Sequence, residues 1–299
     1  MAEQGALETL LADAQDAQDR GAYESLRTIA LEAASVATAA GDDLALGLAR
    51  NFLGVAEMRS GLASRAEAAF DEALAIFVRL GARAEAARVK MNQGALAFDA
   101  RLDITSARRI YEEVIPELEQ LGREPSLAVA LANASEICRA IGDYSQALGR
   151  SARAIELFER NGHPWRAALA RVTNAHVHSL VRRYDESIAR LEEAYSAICE
   201  SGNPASLALY FEVYALVAAA CEQFAPAAEL FGFVDALRHR EDIRPNLSLM
   251  PWIATAQQRV RTALTMDGYD VAYYIGAHAS LDAMRDRVER LATSLRISR

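Results

Sequence analysis

Lysine is almost absent from this 299-residue sequence: Lys90 is the only one, and arginine supplies the other basic side chains. Acidic residues outnumber basic ones by 41 to 32, which gives a formal charge of −9. Non-specific binding to nucleic acid or to an anionic membrane requires a basic face, so this balance argues against both. Scarce lysine together with abundant alanine is typical of a GC-rich bacterial genome.

Cysteines, long apolar runs and targeting signals are also scarce. The three cysteines, Cys138, Cys199 and Cys221, are odd in number and lack a CxxC spacing, which argues against a disulfide framework and favours a reducing cytoplasm. No apolar run reaches the ~18–20 residues of a membrane span. The first residues lack the basic region and apolar core of a secretory signal. We therefore expect a cytoplasmic protein.

Motifs for catalysis and cofactor binding are missing as well. There is no GxxxxGK[ST] phosphate-binding loop, and no Ser/His/Asp or Cys/His set has a supporting motif. His176 and His178 are separated by about 200° around a helix, so they cannot chelate one metal from one face. We expect no metal, no cofactor and no catalytic residue, and hence a protein that is not an enzyme.

What the sequence has instead is a repeat of about 40 residues, the signature of a solenoid. Two series of positions show it, and both have steps of 40 residues with a single step of 41. The first is a series of glycines that end helical stretches: Gly41, Gly81, Gly122, Gly162 and Gly202. The second lies in the second helix of each repeat and is mostly small: Leu26, Ala66, Ala107, Ala147, Ser187 and Ala227. The step of 41 places one extra residue near Ala100–Asp103.

Each repeat is predicted to be a helix, a tight turn, a second helix and a loop. In the second repeat, Gly61 permits the reversal between antiparallel helices, and Ala66 lets the two backbones approach closely. Phe70 and Ala73 alternate large and small on the buried face. The sequence therefore predicts an all-α, right-handed superhelical solenoid of about six tetratricopeptide-like helix pairs.

The repeat is lost after Arg240, so we predict a solenoid over residues 1–240 and a helical cap over residues 241–299. Pro251 can open a helix that ends before Gly268, and Ser280 is a candidate N-cap for the last helix. That helix carries one apolar stripe: Leu281, Met284, Val288, Leu291 and Leu295. The stripe either packs on the end of the repeats or pairs with a second chain to form a homodimer.

The repeat unit, with Asn-Phe-Leu-Gly at residues 51–54 and Leu-Gly-Ala-Arg at residues 80–83, resembles the tetratricopeptide regions of large bacterial signalling ATPases. These include MalT-like and LuxR-type transcriptional regulators. The segments 225–238 and 266–276 resemble the last repeat and the closing helices of such proteins. The resemblance implies a sensor or interaction role in signal transduction or transcription regulation. Because the sequence contains no phosphate-binding loop and no C-terminal helix-turn-helix, we expect either the sensory part of a longer protein or a stand-alone relative that kept only the repeats.

In this fold the first helices line the concave surface, and their register identifies candidate contacts for a ligand. An Asn pair on successive repeats could hold an extended peptide by its backbone, or could bond between helices. We expect the side chains of Asn92, Asn133, Glu136 and Arg139 to be reachable by solvent. The full set of candidates is Asn51, Phe52, Arg59, Arg88, Asn92, Asp99, Asn133, Glu136, Arg139, Thr173 and His176.

Two functions follow as hypotheses. The first is a scaffold module that binds a protein or peptide segment in the concave groove, as part of a signalling or transcription-regulatory system. The second is a receptor that closes around a small-molecule effector. A deep apolar pocket near Phe52, Met58, Met91 and Phe98 would favour the second.

Overall fold

The computed structural model describes the backbone of residues 2–297 and the side chains of residues 5–294. All regular secondary structure in this range is helical, and consecutive helices pack on their neighbours. This confirms the predicted all-α solenoid of helix pairs. None of the described helices is both long enough and apolar enough to cross a membrane.

The chain forms two compact units, residues 1–137 and 138–299, and α7 contributes to both. The helices of the first unit are α1 Ala2–Arg20, α2 Tyr23–Ala40, α3 Asp43–Arg59, α4 Ala63–Leu80, α5 Arg83–Arg101, α6 Ile104–Gln120 and α7 Glu124–Ala140. In the register of the repeat, odd-numbered helices are the first and even-numbered helices the second of each pair. All connections from α1 to α12 are two or three residues long.

The second unit continues the same alternation through α12 and then departs from it. Its helices are α8 Tyr144–Arg160, α9 Pro164–Leu180, α10 Tyr184–Glu200, α11 Pro204–Ala220, α12 Phe224–Arg240, α13 Met250–Ala277 and α14 Leu281–Ile297. The last repeat helix thus ends at Arg240, where the sequence pattern also ends.

A left-handed residue recurs at the turns of the repeats, and the extra residue of the third repeat lies beside one of them. The helix α5 has 19 residues whereas α3 has 17. It ends at Arg101 and is followed by Leu102, which has a φ of 51°. The equivalent residue of the preceding repeat is Gly61, which has a φ of 74°. The insertion therefore lies at the end of α5, as the spacing predicted, and the packed positions are unchanged.

The small-residue series of the second helices is buried throughout. Ala66, Ala107, Ala147 and Ala227 have no exposed surface, and neither do Leu26 and Ser187 at the equivalent positions. This confirms the predicted register. The hydroxyl of Ser187 donates a hydrogen bond to the carbonyl of Ala175 at 2.7 Å, so the one polar member of the series is satisfied.

The cap is fixed to the last repeat by a crossing of two helix backbones. A Cβ on Gly232 of α12 would overlap the carbonyl oxygen of Tyr273, and a Cβ on Gly276 of α13 would overlap that of Glu229. Glycine at both positions lets α12 and α13 touch through their main chains.

The predicted boundaries in the cap are also present. Pro251 lies in the first turn of α13, and the helix is broken at Thr265, which has φ 64° and ψ 166°. The Ser280 hydroxyl accepts a hydrogen bond from the Ala283 N–H at 3.2 Å, as an N-cap does.

The apolar stripe of α14 packs back on the repeats. Met284, Val288 and Leu291 are buried in one cluster with α11 and α12, and the Tyr214 hydroxyl donates to the Val288 carbonyl at 3.1 Å. Leu281 is exposed, and the side chain of Leu295 lies outside the described residues. The capping alternative accounts for this contact, and pairing with a second chain stays a prediction.

We expect Ala147→Leu to destabilise the protein by about 1–3 kcal/mol, because the added carbons have no space between the helices. Thermal unfolding followed by circular dichroism measures the change. Ala39→Leu, at an exposed position of α2, is the matched control and should change stability by less than ~0.5 kcal/mol. Equal melting temperatures for both variants would contradict the close approach at Ala147.

Replacing Gly276 by alanine should also destabilise the protein, since its Cβ would meet the backbone of α12 and α13 would have to shift. Gly149→Ala is the matched control, because a Cβ at this exposed helical position meets nothing within 4 Å. It should stabilise the helix by up to ~1 kcal/mol. Urea unfolding distinguishes the two, and a stabilised Gly276→Ala variant would contradict the backbone crossing.

Candidate functional site

Three charged side chains from successive first helices meet on one face of the first unit. Arg59 ends α3, Asp99 lies near the end of α5, and Glu136 lies near the end of α7. The Arg59 Nη1 atom is 3.7 Å from the Asp99 carboxylate, and these side chains are 48% and 40% exposed. We call the surface formed by Arg59, Asp99 and Glu136 the charged face.

A small cleft opens in the charged face. It is lined by Ala95, Phe98, Asp99, Tyr111, Asn133, Glu136 and Ile137, and its volume is about 30 Å³. Its floor is a hydrogen-bonded pair: the Asn133 Nδ2 atom donates to the Tyr111 hydroxyl at 2.8 Å, and that hydroxyl donates to the Met91 carbonyl at 2.8 Å. The floor is therefore fixed, whereas the two carboxylates at the rim are reachable by solvent.

Tyr111 was not predicted as a site residue, because it comes from a second helix. It occupies the position that Phe70 has in the preceding repeat, 41 residues earlier. The change from phenylalanine to tyrosine at this core position adds a polar hydroxyl group, and this was the signal in the sequence that could have identified Tyr111.

The pKa of the Asp99 carboxyl is raised above its ordinary value. The surrounding protein, which desolvates the carboxylate, is the largest cause, and repulsion from Glu136 adds to it, whereas attraction to Arg59 opposes both. The Asp99 side chain is nevertheless 40% exposed, so solvent screens these effects and the shift has little consequence for stability.

Asn92 and Asn133, the predicted asparagines on successive first helices, each bond to another helix. The Asn92 Nδ2 atom donates to the Asn51 Oδ1 atom at 2.8 Å, which links α5 to α3. Asn51 is buried, and Asn92 is half-buried. Peptide contact and bonding between helices were the two alternatives, and the structure contains a bond between helices. Asn92 remains partly exposed to solvent.

Other predicted residues lie beside this pair or in the second unit. Phe52 is buried, and the half-buried Arg88 guanidinium lies over its ring at 5.9 Å. Thr173 of α9 is half-buried. Asn92, Asn133 and Glu136 are all partly exposed, as expected of residues that solvent can reach.

The expectation that solvent reaches Arg139 is wrong. Arg139 is 1% exposed, since residues at the start of α13 cover it. Its Nη2 atom donates to the Ser248 hydroxyl at 2.9 Å, and its guanidinium lies over the Trp252 ring at 4.8 Å. A buried arginine in these contacts supports the chain's own structure and is not available to an external ligand in this conformation.

His176 belongs to the same buried cluster. It is 2% exposed and packs edge-on against Trp252 with ring centroids 5.6 Å apart. Burial, with repulsion from Arg139 as a second cause, holds the pKa of the His176 imidazole well below its usual range. It is therefore neutral near pH 7, beside the permanent charge of Arg139.

Metal binding receives no support from side-chain placement. In the part of the chain that the structure describes, no three His, Cys, Asp or Glu side chains are grouped so as to hold a metal ion.

Comparisons with known proteins extend to the fold alone. No family model matches the chain, and no curated protein matches it. Among solved structures, the chain is similar to BtubC (BKLC) from P. vanneervenii, with a TM-score of 0.54 and 19% sequence identity. The match covers 81% of this chain and 94% of that one. At this identity the likeness is one of helical-repeat architecture.

We expect the stability of the protein to fall as the pH drops through about 6.5, the ordinary pKa of histidine, in part because of His176. The unfolded chain takes up a proton at this residue that the folded chain does not, so protonation favours unfolding. Melting temperatures at pH 7.5 and 5.5 measure the effect. His176→Gln should lose less stability over this interval than the wild type, and His239→Gln, at an exposed position, should lose as much. A wild-type-like loss in His176→Gln would contradict a neutral His176.

Proposed function

We propose that this chain is a non-catalytic binding module whose charged face binds a protein or peptide segment. The observation that carries the proposal is that Asp99 and Glu136, from two successive first helices, line one cleft that solvent reaches. Arg59, from the preceding first helix, lies 3.7 Å from the Asp99 carboxylate. A peptide that binds along successive repeats can contact one charged side chain in each helix pair. This spacing suits an extended peptide better than a single small ligand.

The charges at the cleft favour a basic side chain in the partner. Asp99 and Glu136 are like charges that repel each other at the rim of the cleft, and the Arg59 Nη1 atom lies 3.7 Å from the Asp99 carboxylate. An arginine or lysine side chain placed between the two carboxylates would relieve this repulsion and gain charge-assisted hydrogen bonds. The Tyr111–Asn133 hydrogen bond would keep the floor of the cleft in place when the partner binds to the two carboxylates.

The alternative of a small-molecule receptor receives less support. Phe52, Met58, Met91 and Phe98 are between 5% and 8% exposed, so they form part of the helical core. Of the four, Phe98 lines the small cleft. The cleft at Asp99 holds about 30 Å³, whereas small-molecule sites typically hold ~300–1,000 Å³. We therefore favour the peptide.

A place in bacterial signalling or transcription regulation, in the cytoplasm, stays part of the proposal. It is supported by the resemblance of the repeat unit and of residues 225–238 and 266–276 to MalT-like and LuxR-type regulators. The binding module would then be the sensor or scaffold part of such a system.

Phage display of a random peptide library against the full chain tests the proposal. We expect enriched peptides to carry an arginine or lysine, and fluorescence anisotropy of a labelled peptide to give its affinity. The double variant Asp99→Asn/Glu136→Gln should weaken binding by at least about tenfold, or ~1.4 kcal/mol, because it removes both charges and keeps the shape.

The control is Glu112→Gln/Glu113→Gln, which removes two exposed carboxylates from the second helix α6. It should leave both the affinity and the melting temperature unchanged. Failure to enrich any peptide, or equal loss of affinity in the two double variants, would refute binding at the charged face.

A further inference from the structure

Within the second unit, the first half of α13, residues 250–264, contacts residues near or just after the C-terminal ends of α7, α9 and α11. At one end of the segment, Trp252 contacts Arg139 near the end of α7 and His176 near the end of α9. At the other end, Arg259 forms an ion pair of 2.9 Å with Glu222, just after α11. It also lies over the Phe224 ring at 5.6 Å. We call residues 250–264 the crossing helix.

The crossing helix is amphipathic, and its apolar side faces the repeats. Leu249, Trp252, Ile253, Ala256 and Val260 follow the steps of one helical face and share an apolar cluster with α9 and α11. Leu249, Ile253 and Val260 are at most 6% exposed. The opposite side is exposed and polar, with Thr255, Gln258 and Arg261. This is the arrangement of a helix bound in a groove.

Two breaks separate the crossing helix from its neighbours in the chain. Before it, residues 243–246 have no regular secondary structure. After it, Thr265 has φ 64° and ψ 166°, a backbone region that is essentially restricted to glycine and that costs ~1–3 kcal/mol for other residues. The backbone crossing at Gly232 and Gly276 holds the part of α13 beyond Thr265. The crossing helix is therefore connected to the remainder of the cap by non-helical backbone on both sides.

The surface beneath the crossing helix has polar groups that an apolar core would not need. Arg139 is fully buried and donates to Ser248, and the Nδ1 atom of the buried His176 has no hydrogen-bond partner. A buried arginine that stacks on an indole ring is typical of the aromatic anchors of interfaces. The surface thus has the composition of a binding site, and its occupant is a segment of the same chain.

We propose that the Arg139–His176 surface of the second unit is a helix-binding site, and that the crossing helix is its internal ligand. The external partner that fits this site is an amphipathic helix with a tryptophan or similar aromatic residue, followed by aliphatic residues on the same face. A ligand that is part of the same chain acts at an effective concentration of about millimolar order. Weakly binding external helices therefore cannot displace the crossing helix, whereas tightly binding ones can. This proposal concerns a different surface from the charged face and does not depend on it.

A fluorescein-labelled synthetic peptide with the sequence of residues 248–264 tests the site in trans. We expect it to bind the full-length Trp252→Ala variant at least tenfold more tightly than the wild type, because the weakened internal helix no longer competes. Trp165→Ala is the matched control, since Trp165 lies at the start of α9 against Arg166. It should bind the peptide as weakly as the wild type does. A peptide whose tryptophan is replaced by alanine should bind none of the three proteins.

Hydrogen–deuterium exchange of the wild-type chain provides a second test that requires no variant. We expect residues 250–264 to exchange at least tenfold faster than α9 and α11, as a separately opening segment does. If these residues exchange together with α11, or if a folded Trp252→Ala variant binds the peptide no better than the wild type, the crossing helix is ordinary core and the proposal is wrong. A partner selected at the charged face would be unaffected by either result.

Discussion

The close approach of the two helices in every pair depends on one position in the second helix. Ala66, Ala107, Ala147 and Ala227 are fully buried there, and a side chain of this size brings the backbones together along their length. Because the position recurs with each repeat, it keeps successive helix pairs in the same register.

The repeat architecture could be predicted from the sequence because it is local. Each helix pair packs mainly on its sequence neighbours, so the 40-residue spacing alone determines the register, including the extra residue at the end of α5. The helix bounds in the cap were also marked by local signals, namely Pro251 and Ser280. These features depend on turn and cap chemistry that operates within a few residues.

The burial of Arg139 and His176 could not be predicted in this way. Their register on α7 and α9 is that of surface residues, and the residues that cover them, Ser248 and Trp252, follow more than 70 positions later. No repeat spacing encodes such a contact. The role of Tyr111 was not predicted either, because it reaches the cleft from a second helix, at a position of the repeat that belongs to the core.

Two buried carboxylates of the last helices of the second unit are paired with arginines. The carboxylate of Glu212 on α11 pairs with Arg238 on α12 at 2.7 Å, and Glu229 on α12 pairs with Arg287 on α14. Burial raises the pKa of both carboxyl groups, and the arginines oppose it. Such pairs contribute little net stability, but an alternative packing that separated them would leave a charge unpaired in the interior. They therefore select the register in which the cap closes the array.

The extra residue at the end of α5 has a consequence for how such chains change over evolutionary time. It is accommodated beside the exposed Leu102 at the turn, and Ala66 and Ala107 on either side of it keep equivalent buried positions. Insertions and deletions at this turn are thus nearly silent, whereas the same change within a helix would rotate every later contact. Related repeat proteins should therefore differ in length by single residues at the turns. Elsewhere they should differ by whole helix pairs, because gaining or losing a complete repeat leaves the packing of the neighbouring repeats unchanged.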